Sequence, residues 1–324
     1  MVILDFTREH IIKASELALA CYEEECSLVP ALPNADQFPD LTYFADNGLG
    51  VAAFENGKMV GFLCSTAPFD NAFCSTDAKG VFSPMGANGT TRENKAKIYA
   101  AMYQEAARKW VRAGAVSHGI CLYAHDEIAQ HQFFKYGFGL RCVDSIRPME
   151  PFHCAPCEEY NFSELEASEY PTAYSLEIMM HEHYINSPFF MNRKPDAREI
   201  FCETCVRDHE RCFVAQYGDE TCAYLKISES GETFISENPN YLHITGAFCL
   251  KEHRGKGVYQ NLLNHVIKIL KAEGYTHLGV DFESINPAAY GFWSKYFTAY
   301  THGVVRRIDE KILALSPCEA CDIL

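Results

Sequence analysis

Basic residues are scarce in this sequence of 324 residues. It contains 28 Lys and Arg against 43 Asp and Glu, a formal net charge of −15. Proteins that bind nucleic acids need clusters of basic side chains to neutralise phosphate groups. The charge balance therefore argues against a nucleic-acid partner, tRNA included, and suits a cationic or amine substrate.

Long apolar runs are also missing. No stretch of 18 or more apolar residues occurs, so no membrane-spanning helix is predicted. The first ten residues lack the charged and apolar regions of a signal peptide. We therefore expect a cytoplasmic protein with no membrane partner, either a monomer or a homodimer. The length predicts two domains.

Cysteine, by contrast, is abundant. An odd number of 15 cysteines without a secretory signal favours free thiols over a disulfide framework. Three pairs have Cys-x-x-Cys spacing: Cys154/Cys157, Cys202/Cys205 and Cys318/Cys321. Convergence of the first and last pairs would form a zinc site. The alternative, chance pairing in a cysteine-rich sequence, is the one we adopt, and we predict no metal.

The most informative segment runs from Leu242 to Leu263. An apolar strand leads into Arg254-Gly255-Lys256-Gly257, and an amphipathic helix follows. Glycine lets the backbone of such a turn approach a ligand and adopt positive φ, and the first free N–H groups of the helix point at the same place. The segment therefore predicts an anion-binding site, and the expected anion is a pyrophosphate.

The residues around this turn exclude two common phosphate loops. A Walker loop carries Lys-Ser or Lys-Thr after its last glycine, but Val258 and Tyr259 follow Gly257. A dinucleotide fingerprint needs a third glycine, which Gly255-Lys256-Gly257 lacks.

Two motifs together resemble a known superfamily. The run Glu252-His-Arg-Gly-Lys-Gly-Val258, followed by Leu262-Leu263, resembles the acetyl-coenzyme A loop of the GNAT N-acetyltransferases. After a predicted strand at Gly279–Phe282, Asn286-Pro-Ala-Ala-Tyr-Gly-Phe-Trp293 resembles the next motif of that superfamily. The resemblance implies a mixed α/β fold, acetyl-CoA as the cofactor, and transfer of an acetyl group to a primary amine of a small molecule or peptide.

The same resemblance implies a set of cofactor-binding residues. They are the positions that match the two motifs and the strand before the first: Phe248, Cys249, Leu250, His253, Arg254, Gly255, Lys256, Gly257, Val258, Tyr259, Asn286 and Phe292. In the superfamily, backbone groups at the first three positions bind the pantetheine arm. Asn286 is also suited to cap the following helix, because Pro287 would occupy its first turn.

The chain departs from the superfamily pattern at three positions of the two motifs. Glu252 stands where Gln or Arg is usual, and Tyr259 where Gly or Ala is usual. Trp293 replaces the tyrosine that commonly protonates the departing thiolate, and an indole N–H cannot do so. Tyr290 or Tyr296 could supply this acid and Glu283 could act through water as the base, although each could instead be a packing or solvated residue.

The N-terminal half contains a second, weaker copy of the same element order. Its features include a hairpin signal at Asn56-Gly57 and a run Phe133–Phe138 that resembles the closing turn of the superfamily. At the position of the cofactor loop, Ser83–Gly89 has no basic residue and contains Pro84. We therefore predict a degenerate GNAT-like domain at residues 1–150 and a GNAT domain with the acetyl-CoA loop at residues 151–324.

Two other functions stay open at this point. The chain could be a catalytically silent acyl-CoA-binding or sensor protein, as Trp293 and the degenerate copy suggest. It could also be a tandem acyltransferase that uses another acyl donor. Turnover of acetyl-CoA over a panel of amines separates an enzyme from a sensor.

Overall fold

The computed structural model describes residues 1–35, 40–74 and 76–314. Cys318 and Cys321 lie outside these ranges, so the zinc site that would need them stays a hypothesis. The chain forms two compact units. The N-terminal unit comprises Met1–Leu28, Asn34–Arg141 and Thr301–Leu324, and the C-terminal unit comprises Val29–Pro33 and Cys142–Tyr300. The N-terminal unit thus includes residues from the last part of the sequence, and the C-terminal unit includes Val29–Pro33 from its first part. The predicted division of the sequence at residue 150 stays a prediction.

Strands and helices alternate along the first half. Their bounds are β1 Val2–Asp5, α1 Ile11–Leu28, α2 Thr42–Asp46, β2 Val51–Glu55, β3 Lys58–Leu63, β4 Gly80–Ser83, β5 Asn88–Thr90, α3 Lys95–Arg112, β6 Ser117–Tyr123, α4 Glu127–Lys135 and β7 Gly139–Pro148. The second half contains β8 Tyr160–Glu164, α5 Tyr174–Ile185, α6 Arg198–Arg207, β9 Arg211–Tyr217, β10 Glu220–Ser228, β11 Tyr241–Cys249, α7 Val258–Ala272, β12 His277–Glu283, α8 Pro287–Tyr296 and β13 Thr298–Arg307. Within these described ranges, every helix is too short or too polar to cross a bilayer.

In the N-terminal unit, β1, β2, β3 and β5 form an antiparallel sheet in that order. The predicted hairpin is confirmed, since β2 and β3 pair around Asn56 and Gly57, both with positive φ. β4 pairs in parallel with β6, and Thr301–Arg307 of β13 pairs antiparallel with β6. Large aromatic side chains fill the core between these strands and α3, among them Tyr103, Trp110 and Phe133.

His118 of β6 is fully buried in this core. The Tyr103 hydroxyl lies 3.0 Å from its Nδ1, and the Ala115 carbonyl oxygen lies 3.2 Å from its Nε2. Both ring nitrogens therefore have partners while the ring is neutral. Burial lowers the pKa of His118 to about 4, because the charged imidazolium would lose its hydration.

We expect His118 to make the N-terminal unit sensitive to acid. The unfolded chain takes a proton on this residue as the pH falls through about 6.5, whereas the folded unit resists until about 4. The free energy of unfolding should therefore fall by about 3 kcal/mol across this window. Urea unfolding from pH 7 to pH 4, compared between the wild type and His118→Gln, measures the effect. A variant with the same pH dependence as the wild type would contradict it.

The C-terminal unit contains a mixed sheet in the order β7, β12, β11, β10, β9, β8. β11 and β12 are parallel, and the other neighbours are antiparallel. α7 buries the apolar face that its sequence periodicity predicts, with Leu262, Leu263, Val266, Ile267 and Leu270 fully inaccessible. Sheets and helices in both units confirm the predicted mixed α/β fold class.

Candidate active site

Strands β11 and β12 separate part of the way along their length. They pair from Tyr241 opposite His277 to Ile244 opposite Val280, and the pairing ends there. On its other side, β11 pairs with β10 through a register shift that leaves Thr245 as an extra residue. Such a β-bulge bends the strand that carries it. The bend at Thr245 explains why the rest of β11 leaves β12 and why a wedge-shaped opening lies between them.

A buried polar network holds this bulge. The Thr245 hydroxyl donates to Glu210 Oε1 at 2.6 Å, and Lys226 Nζ donates to Glu210 Oε2 at 3.0 Å. Gly246 makes room for the lysine, because a Cβ there would lie 2.7 Å from Lys226 Cε. Glu210 and Lys226 are each only 8% exposed.

Both members of this ion pair remain charged. Burial favours a neutral Lys226, but the carboxylates of Glu177 and Glu210 outweigh it and raise the lysine pKa. Burial likewise favours a neutral Glu210, but Lys226 and the Thr245 hydroxyl outweigh it and lower the carboxyl pKa. A buried ion pair between Lys226 and Glu210, with its hydrogen bonds, therefore stabilises the bulge beside the opening between β11 and β12.

A cavity of about 390 Å³ lies beside the free end of β11. This size is in the range of small-molecule sites. Its walls come from α5, the end of β11, the turn before α7, and α8. The lining residues are Met180, His183, Tyr184, Ala247, Phe248, Cys249, His253, Arg254, Gly255, Gly257, Val258, Tyr259, Gln260, Asn286, Ala288, Ala289, Gly291, Phe292, Trp293 and Lys295.

The glycine turn has the backbone conformation that its sequence predicts. Gly255 and Gly257 have φ values of +75° and +83°, in the left-handed region that glycine adopts without steric cost. Gly257 is also the N-cap of α7, so the free N–H groups of the first helical turn start at the cavity wall. The Arg254 side chain turns back, donating from Nε to the Cys249 carbonyl oxygen at 2.8 Å.

The segment before β8 supports this turn from outside. Asn261 of α7 donates to the Ala155 carbonyl oxygen at 2.9 Å, and the Cys157 thiol donates to the Lys256 carbonyl oxygen at 3.2 Å. Cys154 contacts Asn261 and Asn264 through its sulfur. The pair Cys154/Cys157 therefore packs on the start of α7. Cys205 of the second predicted pair is buried and donates to Glu210 at 3.2 Å.

Most of the predicted cofactor-binding residues meet at the cavity. Ten of the twelve line it, and the other two, Leu250 and Lys256, lie next to lining residues in sequence. Leu250 packs against the buried hydrophobic cluster that includes Tyr224. Asn286 caps α8 as predicted, its Oδ1 accepting from the N–H groups of Ala288 and Ala289 at 3.2 Å.

The large side chain of Tyr259 packs away from the glycine turn. Its hydroxyl donates to the Tyr224 carbonyl oxygen at 3.1 Å, and its ring packs edge-on against Phe292 and Trp293. Trp293 is itself buried against Phe297. Tyr259 and Trp293, two of the three residues that depart from the superfamily pattern, thus pack together in one aromatic cluster.

The three predicted catalytic residues lie at different places. Tyr290 is 44% exposed, with its ring edge-on to Phe282. Tyr296 packs on Phe152 and Phe292. Glu283, at the end of β12, is 6% exposed and its Oε1 lies 3.6 Å from the Arg193 guanidinium. The cavity lining given above includes none of these three side chains, so their roles stay predictions.

Sequence reasoning missed the residues that α5 contributes. His183 and Tyr184 line the cavity, but the sequence showed only that they belong to a helix. Burial raises the pKa of Tyr184 to about 12, with Arg193 acting in the opposite direction. Burial also lowers the pKa of His183. No motif links α5 to the turn, so its position could be known only from the fold.

The N-terminal unit has a cavity of about 410 Å³ between the corresponding elements, α1, the start of α3, the end of β6, and α4. In this cavity, basic side chains at the start of α3 are already paired with carboxylates. Lys95, the first residue of α3, donates to Asp126 at 2.6 Å, and Arg92 pairs with Glu24 at 2.5 Å. These carboxylates engage cations that could otherwise contact a phosphate.

Comparison with known proteins gives a family and a fold. The model described as "Acetyltransferase (GNAT) family" matches residues 178–297. The chain is similar to a GCN5-related N-acetyltransferase from Sphaerobacter thermophilus, with 11% identity, a TM-score of 0.59, and coverage of 94% of this chain and 95% of that one. It is also similar to the glucosamine N-acetyltransferase region of a fungal multi-domain GH3 beta-N-acetylglucosaminidase, with 13% identity, a TM-score of 0.54, and coverage of 94% and 38% respectively.

No curated protein sequence matches the chain significantly. At identities this low, the structural likenesses concern the fold alone, and the family rests on the matched model together with the two motifs it contains. On this match, residues 178–297, which include most of α5, the bulged strand, the glycine turn and α8, form a domain of the GNAT family.

Proposed function

We propose that the chain is an acetyl-CoA-dependent N-acetyltransferase that acts on a primary amine of a small molecule or peptide. The observation that carries this proposal is the separation of β11 from β12 at Thr245, directly beside the glycine turn of α7. One cavity thereby adjoins both an anion-binding helix start and a strand with free backbone groups. A cytoplasmic location and a monomeric or homodimeric state stay predictions.

The residues at the cavity fit an acyl-CoA. The N–H groups from Gly255 to Tyr259 would hold the pyrophosphate, because a helix N-terminus favours anions. The backbone of Ala247–Cys249 would pair with the pantetheine arm as an added strand does. When bound, this cofactor supplies an acetyl group activated as a thioester. The protein's contribution is to orient it at the opening, since correct positioning lowers the barrier to attack by an amine.

We propose that the cofactor binds in the C-terminal unit alone. The start of α7 presents glycines, whereas the start of α3 presents Lys95 and Arg92 already engaged by Asp126 and Glu24. A ligand phosphate would have to displace these ion pairs. One acetyl-CoA per chain is therefore the expected stoichiometry, and the N-terminal unit is a degenerate copy.

An assay of acetyl transfer over a panel of amines tests the function. Product should be detected by mass, because the 15 cysteines of the chain would consume thiol reagents. Acetylation of at least one amine is the expected result. Tight binding of acetyl-CoA without any acetylated product would make the chain a silent acyl-CoA-binding protein. Turnover only with a longer acyl-CoA would assign another donor.

A further inference from the structure

We infer that the Tyr184 hydroxyl donates a hydrogen bond to the sulfur of the acyl-CoA as that sulfur departs. This inference rests on the proposed acetyltransferase function and adds a catalytic residue to the same site. A hydrogen-bond donor placed where negative charge develops lowers the barrier of a reaction. The lining of the cavity includes neither Tyr290 nor Tyr296, and Trp293 lines it with an indole that is buried against Phe297.

The cavity lining contains two tyrosines, and only one has its hydroxyl engaged. The Tyr259 hydroxyl donates to the Tyr224 carbonyl oxygen at 3.1 Å. The Tyr184 hydroxyl makes no hydrogen bond to any residue that the structure describes. Its ring is nevertheless packed, with the Arg193 guanidinium 4.9 Å from the ring centre and the Phe189 ring edge-on at 5.3 Å. Tyr184 therefore has a fixed ring and a hydroxyl that is available as a donor.

The two residues that α5 contributes face different ends of the cavity, because successive residues are about 100° apart around a helix. Burial and the positive charge of Arg254 lower the pKa of His183, which places this side chain near the glycine turn. Burial raises the pKa of Tyr184, and the carboxylates of Glu283 and Asp281 raise it further. Tyr184 therefore lies toward the end of β12, away from the turn.

The reacting end of the proposed ligand belongs at the same end of the cavity as Tyr184. With its pyrophosphate at the glycine turn, the ligand would pair with the backbone from Cys249 back to Ala247. The same direction along β11 leads to the bulge at Thr245, where β11 leaves β12. Asp281 is the first residue of β12 beyond the last pair of these strands, so it marks the same point on the neighbouring strand. Tyr184 is therefore beside the expected position of the sulfur.

The Tyr184 hydroxyl keeps its proton at neutral pH, since burial raises its pKa to about 12. Attack by a neutral amine forms the C–N bond and breaks the C–S bond, and the electron pair of the C–S bond leaves on sulfur. An alkyl thiol such as cysteine has a pKa of about 8.5. Tyr184 therefore keeps its proton and stabilises the thiolate by a charge-assisted hydrogen bond. One proton then moves through water from the amine nitrogen to the sulfur, which gives the amide and the free thiol.

Binding of free CoA tests this hydrogen bond without turnover. The pKa of the bound thiol can be followed by NMR on CoA that is isotopically labelled at the carbon next to sulfur, so the cysteines of the protein do not contribute. Tyr184→Phe keeps the ring and loses the donor, and we expect it to raise the thiol pKa by about one pH unit relative to the wild type. Its affinity for dethio-CoA, which has no sulfur, should equal that of the wild type.

The amine assay measures what the hydrogen bond contributes to the reaction. Tyr184→Phe should lower kcat about tenfold or more with little change in the KM for acetyl-CoA, because the bond becomes strong only as the sulfur acquires charge. The matched control is Tyr275→Phe, which removes a hydroxyl from the turn between α7 and β12, outside the cavity lining. This control should match the wild type in both kcat and thiol pKa.

The outcomes of the two measurements separate this inference from the proposed function. An unchanged thiol pKa or full turnover in Tyr184→Phe would overturn the inference. Weaker binding of dethio-CoA by this variant would overturn it too, because the hydroxyl would then act on the shape of the cavity. A raised thiol pKa in Tyr290→Phe or Tyr296→Phe instead would assign the donor to α8. A raised thiol pKa in Tyr184→Phe, with no turnover by the wild type, would support the hydrogen bond and count against the enzyme.

Discussion

Gly257→Val is expected to weaken the binding of acetyl-CoA tenfold or more. Gly257 has a φ of +83°, where a β-branched residue is strained, and it is the N-cap from which the first N–H groups of α7 extend. A Cβ at this position would also lie 3.2 Å from Cys157 Sγ, so the supporting segment would have to move. Loss of about 1.4 kcal/mol of binding free energy corresponds to the tenfold change. Isothermal titration calorimetry with acetyl-CoA measures it.

The control for backbone strain is Gly274→Val. Gly274 follows the other end of the same helix with a φ of +99°, and a Cβ there would meet nothing within 4 Å. Both variants therefore carry comparable strain on α7, but only one changes the turn at the cavity. Gly274→Val should bind acetyl-CoA like the wild type. Equal loss of affinity in both variants would contradict a cofactor site at this turn. Two equal sites per wild-type chain would contradict binding in the C-terminal unit alone.

Sequence reasoning predicted the parts of this site that depend on local chemistry. Positive φ at Gly255 and Gly257, the cap at Asn286 and the buried face of α7 all follow from a residue's own backbone preference or from periodicity. These features need no knowledge of distant contacts. The mixed α/β class followed from the element order together with the resemblance.

The rest of the site depends on contacts between distant segments. Thr245 gives no bulge signal in the sequence, because a bulge is defined by pairing with β10 and stabilised by Glu210, 35 residues earlier. Tyr184 reaches the cavity only through the packing of α5. The pairing of β7 with β12 was equally hidden, since Asp144 belongs to the first half of the chain and Asp281 to the second. No local pattern could have revealed this pairing.

Lys226→Met is expected to destabilise the C-terminal unit by about 3–5 kcal/mol. The lysine is buried beneath the bulge and donates to Glu210 at 3.0 Å, while its positive charge also stabilises the buried carboxylate of Glu177. Methionine has a similar volume and cannot donate, so two buried carboxylates lose their cation. Leaving a buried charge without its partner costs more than the intact pair contributes.

The double variant Lys226→Met, Glu210→Gln distinguishes lost charge from lost packing. If the stranded Glu210 carboxylate causes the loss, removing its charge should restore a large part of the stability in a urea unfolding series.

The deficit of the single variant should also shrink as the pH falls. In the wild type the pKa of Glu210 is lowered, so its stabilising contribution exists above about 4.5, the usual value for glutamate, and is lost in acid. In the variant, burial without Lys226 raises that pKa, and protonation then relieves the cost. A loss of stability that is independent of pH, or that is as large in the double variant as in Lys226→Met, would mean that the charge of the pair does not stabilise the Thr245 bulge.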